Sequence, residues 1–139
     1  MAIIYLPLTI STSAYSTGDV IGGEIAIPAT NPGLLTAITV YDADGEGVQL
    51  DFFFFGDDLV GTYTDNAAFA VDASDMPKLI GVCSIATTDY LAAGSDKAGT
   101  VTPVNVPVKS GGTWLVIVIR STTTYTATTD LRLTLSVLE

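Results

Sequence analysis

The chain has 139 residues, 48% hydrophobic and 14% charged, with 5 basic against 15 acidic side chains, no histidine and one cysteine. That length suits one domain, residues 1–139, which can bury a core without disulfide or metal staples. The net charge of −10 argues against nucleic acid and anionic membrane as partners, and the lack of histidine excludes serine–histidine hydrolysis and histidine-ligated metals.

The first predicted element is a strand over Ile3 to Ile10 in "MAIIYLPLTI". This run has no basic segment ahead of it and Pro7 interrupts it, so a chain made in the cytoplasm without a signal peptide is expected. No stretch of the sequence reaches the roughly 18 apolar residues of a membrane helix. Residues 1–12 fit two roles. They can form an arm that adds to a neighbour's sheet, with Ile3, Ile4, Tyr5 and Leu6 at the interface, or an edge strand of their own subunit. A second strand is expected over Val20 to Ile27; "GDVIGGE" lacks the spacing of a dinucleotide loop, so its glycines point to a bulge or close packing.

A third strand, Leu34 to Tyr41, runs into "DADGEG". Asp42, Asp44 and Glu46 alternate there as in a calcium loop, but the glycines and the closing glutamate are misplaced for one. A turn shaped by its aspartates is the simpler account. Next comes Val48 to Phe55, with four consecutive phenylalanines. Alternation puts Val48, Leu50, Phe52 and Phe54 on one face, as a core row, and Gln49, Asp51, Phe53 and Phe55 on the other. Phe53 and Phe55 therefore need a cover, and a second subunit or a larger shell is expected in preference to a loop of this same chain.

Asp57, Asp58 and Asp65 follow, and hairpin capping explains them more simply than a glycosidase pair, which needs a defined carboxylate separation. Further strands are expected over Ala67 to Val71, Lys78 to Ala86, Val101 to Val108, Thr113 to Ile119 and Leu131 to Leu138. A short helical turn is expected at "SDMPKL", with Ser74 as its N-cap and Pro77 in the first turn. Cys83, inside "LIGVCSIA", reads as a small hydrophobe. "AAGSDKAG" reads as a connection, and "STTTYTATTD" as a polar hairpin or edge segment.

"LRLTLSVL" alternates cleanly, with Leu131, Leu133, Leu135 and Val137 inward, whereas "TWLVIVIR" is apolar on both faces. Short strands separated by turn signals give an all-β fold, an antiparallel β-sandwich. Two strands apolar on both faces in so small a chain imply a covered outer face, and a symmetric oligomer is the simplest cover.

The ordered combination "STSAYSTGDVIGG" (Ser11 to Gly23), "LLTAITVYDADGEGVQLDFFFFGDD" (Leu34 to Asp58), "TDNAAFAVDASD" (Thr64 to Asp75) and "IGVCSIATTDY" (Ile80 to Tyr90) resembles small proteins encoded among tailed-bacteriophage virion genes. These are generally associated with the head. The resemblance spans the first two-thirds of the chain and rests on order and spacing. It implies a jelly-roll-like sandwich acting as a capsid decoration or cement protein on the virion surface. The implied partners are the major capsid protein and further copies of the chain, with a trimer favoured over a dimer because head lattices offer threefold positions. It implies no catalytic residue, metal or cofactor. The competing expectation is a receptor- or carbohydrate-binding module using Tyr41, Tyr63, Tyr90 and Tyr125.

Overall fold

The computed structural model describes residues 1–139. Ten strands form: β1 (Ala2–Pro7), β2 (Val20–Ala26), β3 (Gly33–Asp42), β4 (Leu50–Phe55), β5 (Leu79–Ile85), β6 (Tyr90–Ala93), β7 (Asp96–Val101), β8 (Val106–Val108), β9 (Trp114–Ile119) and β10 (Leu131–Leu138). They build two antiparallel sheets. One has the order β1-β10-β3-β7-β6, with β8 paired to the start of β3, and the other is β2-β9-β4-β5. The expected β-sandwich is what forms, because each sheet has one apolar face to bury and the two faces meet.

The core lies between them. Leu35, Ile38 and Val40 of β3 and Leu131, Leu133, Leu135 and Val137 of β10 face Leu50, Phe52 and Phe54 of β4 and Leu115, Ile117 and Ile119 of β9. Phe52 and Phe54 are fully buried, each adding about 1.5–3 kcal/mol of apolar burial. The core row expected of Val48, Leu50, Phe52 and Phe54 is present in full.

Several expectations need correction. Ala67 to Val71 is not a strand; a single bridge between Asp19 and Ala68 is all the pairing it makes. The connection at "AAGSDKAG" is instead the hairpin β6–β7, with Tyr90 opposite Gly99 and Ala93 opposite Asp96. This hairpin is rich in residues of low strand propensity, Ala92, Ala93, Asp96, Lys97, Ala98 and Gly99, and is held by pairing with β3, a tertiary partner no local pattern reveals. Gly99 is required there: a Cβ would lie 2.7 Å from the Asp89 carbonyl oxygen and 2.8 Å from Ile85 Cδ1. The helical turn is a 3-10 turn, Met76–Lys78, with Pro77 near its start, but its N-cap is Asp75 and not Ser74, and no side chain caps it.

The N-terminal segment is an edge strand of its own sheet. β1 pairs with β10 in unbroken register from Ala2 opposite Val137 to Pro7 opposite Arg132. Leu6, Leu8 and Ile10 are core residues and Ile4 packs against them, so the detached-arm alternative for residues 1–12 gives way to burial.

Candidate interaction surface

The phenylalanine question is settled by the chain's own connection between β4 and β5. Phe55 is fully buried with Val20, Tyr63 and Val116, and Phe53, Leu59, Phe69 and Val71 pack around them. The Phe53 and Phe69 rings sit 4.7 Å apart, and Phe55 stacks on Tyr63 at 6.3 Å. This chain's own segment thus buries Phe55 and half-buries Phe53, beside which Val82 stays exposed, and that corrects the assignment of Phe53 and Phe55 as interface residues. The aromatic excess of β4 fills a satellite core under a long loop.

Aspartates pin this cover. The buried Asp75 carboxylate accepts from Val60 N (2.8 Å), Gly61 N (2.9 Å), Tyr63 Oη (2.7 Å) and Lys78 Nζ (3.0 Å). Burial alone would raise its pKa, but these donors outweigh it and hold the carboxyl well below the usual range. Asp65 fastens the other end, accepting from Tyr15 Oη and Gly22 N, both at 2.7 Å. The sequence offers Asp65 only as a hairpin cap and does not single out Asp75. Their only signal was aspartates amid apolar residues in a segment otherwise read as loop and strand.

The remaining acidic motifs are likewise occupied. Asp42, buried at the end of β3, accepts from Asp44 N and Gly45 N (3.0 Å each) through one oxygen and from Gly47 N (2.9 Å) through the other. Its carboxylate shapes the turn for which "DADGEG" was read. Asp58 accepts from Trp114 Nε1 at 3.1 Å and Asp57 from the Asp58 amide at 2.9 Å, so both serve the loop end. Arg120 and Asp51 form an ion pair at 2.5 Å. Cys83 is half-buried, and burial, with the Asp51 charge, pushes its thiol up to about 11, the reverse of an activated nucleophile.

Three of the four tyrosines expected to line a sugar site are core groups. Tyr63, Tyr90 and Tyr125 are buried, which corrects that expectation for them; Tyr90 donates to the Val48 carbonyl oxygen at 2.9 Å. Tyr41 alone reaches the surface, where its hydroxyl donates to Asp96 and its ring lies under the Arg132 guanidinium, 5.7 Å from the centroid.

Exposed apolar residues lie on β5 and the β4–β5 connection, at Val60, Met76, Ile80 and Val82, and on the outer face of the larger sheet. There the register aligns Pro7, Arg132, Tyr41, Ala98 and Leu91 in one row and Tyr5, Thr134, Thr39 and Thr100 in the next. Tyr5 is 77% exposed and Ile3 49% at one edge, and Leu91 76% at the other. Over β1, β10 and the end of β3 lies a hollow of about 670 Å³ lined by Tyr5, Pro7, Leu8, Tyr41, Arg132 and Thr134, among others. Of the six expected interface residues, Ile3 and Tyr5 are presented to solvent, Ile4 and Phe53 are half-buried, and Leu6 and Phe55 are buried. Arg132 and Leu91, which share this face, carried no distinguishing signal in the sequence. No protein-family model matches the chain, and no curated protein matches it.

Proposed function

We propose that this chain is a non-catalytic structural protein of a tailed-phage virion, a decoration subunit that binds the major capsid protein on the outer surface of the assembled head and stabilises it. The observation that carries this reading is the distribution of apolar surface. In a chain of net charge −10, Ile3 and Tyr5 at one edge of the larger sheet and Leu91 at the other are exposed, and so are Val60, Met76, Ile80 and Val82 on the side of the smaller sheet, around the buried Phe55 and Tyr63. Such a body stays soluble before assembly and is repelled by packaged DNA. The strand orders, with the chain passing repeatedly between sheets, fit the double Greek-key winding of jelly rolls, an architecture common in viral capsid and lectin domains. Binding that favours the assembled shell stabilises it by mass action, and self-association would add multivalency.

Co-sedimentation with isolated heads lacking the protein tests the reading. Binding with a raised temperature of DNA release is expected, and no binding at saturating protein would sink it. A second reading, receptor or carbohydrate binding, is favoured by one specific feature: the hollow where Tyr5, Tyr41 and Arg132 combine aromatic faces with a cation. Saccharide binding on a glycan array that is lost in Tyr41→Ala would support it over decoration.

A further inference from the structure

The four sheet edges are guarded unequally. β2 is broken by a register shift between Val20 and Glu24, with Gly22 and Gly23 both at positive φ. β5 carries a shift opposite Phe54 and Phe55, and β6 is only four residues long between Asp89 and Asp96. Such bulges, short strands and flanking charges are how proteins blunt edges. β1 has none of these. It is six residues in continuous register, and residues 1–18 contain no acidic or basic side chain.

Its hydrogen-bonding parity can be read from the structure. Leu8 N donates to Leu131 O at 3.3 Å, and the β1–β10 register, continued one residue beyond Pro7 and Arg132, sets these two opposite each other. In an antiparallel ladder alternate residues share one direction, so Ala2, Ile4 and Leu6 bond to β10, and Ile3 and Tyr5 turn their N–H and C=O groups outward. Pro7 fits this parity, because its missing N–H falls on the open side.

We propose that β1 pairs antiparallel with β1 of a second copy about a two-fold axis at Ile4, joining the two larger sheets into one. In that register Ile3 faces Tyr5 of the other copy twice over. The two residues exchange both backbone bonds each time, giving four in all, none of which needs the absent Pro7 donor. The exposed Ile3 and Tyr5 side chains then stack across the seam on the outer face, while Ala2 and Leu6 meet on the inner one. An antiparallel copy of the same strand matches this donor, acceptor and side-chain order, and a strand with no acidic side chain of its own is where two chains of charge −10 meet with little repulsion. The contact is small, so a weak dimer is expected and not a tight one. It specifies the self-association of the decoration reading, with two-fold symmetry replacing the expected threefold.

Sedimentation velocity on the full chain, from about 1 µM to about 1 mM, tests this across the range a small interface can hold. Reversible dimerisation is expected. Tyr5→Pro, which removes an amide unused within the subunit, should weaken it on the order of a hundredfold with an unchanged far-ultraviolet spectrum. Leu91→Lys, at the opposite edge, should leave it intact. A monomer throughout, a trimer, or a dimer untouched by Tyr5→Pro would overturn the proposal. A monomer that still binds heads would sink this interface alone, and a dimer that ignores heads would sink only the decoration reading.

Discussion

The phenol of Tyr63 donates to the buried carboxylate of Asp75 at 2.7 Å, and the same ring stacks on Phe55. One residue thus ties the polar anchor of the β4–β5 connection to the aromatic surface that the connection seals. Asp75→Asn leaves the fold's core intact but replaces an acceptor facing four donors by a group that is itself half donor. A lower melting temperature and stronger binding of a hydrophobic dye are expected; an unchanged melting curve would show that the cover holds without its anchor.

Asp75 also sets an acid limit. Its carboxyl is held below its ordinary value in the folded state, so the stability it contributes is present above the unfolded pKa of about 4 and is lost as pH falls below that. Urea midpoints should decline from pH 5 downward in the wild type and less steeply in Asp75→Asn. Parallel curves would contradict this.

Phe55→Ala should cost about 3–5 kcal/mol, the usual loss for a fully buried phenylalanine, and Phe53→Ala less because Phe53 is half-buried. Neither should change the sedimentation coefficient of the folded protein, since both rings meet only this chain's own segment. Dissociation of a dimer by Phe53→Ala, with stability kept, would count against internal closure.

At the alkaline end, burial together with the Asp75 hydrogen bond pushes Tyr63 up to about 12, and burial raises Tyr15, Tyr90 and Tyr125 too. The unfolded chain then gives up tyrosine protons first, so stability falls as pH rises above about 10. Tyrosinate absorbance should appear together with loss of β-structure. Ionisation of these tyrosines at pH 10 in a folded chain would be the contrary result.

The Tyr125 hydroxyl is buried without a hydrogen-bond partner in the protein. Tyr125→Phe removes an unpaired polar atom and keeps the ring, so stability should hold or rise. A loss of more than about 1 kcal/mol in denaturant unfolding would show that the hydroxyl is satisfied in solution.

What the sequence determined by itself was whatever depends on local alternation. The inward row of β10, the core row Leu50, Phe52 and Phe54, and the all-β sandwich follow from side chains that switch faces every residue. It also identified β4 as needing cover on both faces. Tertiary structure decided what supplies that cover, because the answer depends on where the β4–β5 connection folds back, on Asp75 closing that connection on itself and on Asp65 reaching Tyr15 and Gly22 far along the chain. The same holds for β6 and β7, strands of low intrinsic propensity held through the pairing of β7 with β3, and for the open edge at β1. Which amides of Ile3 and Tyr5 face outward is fixed by register against β10, and register is a property of two strands together.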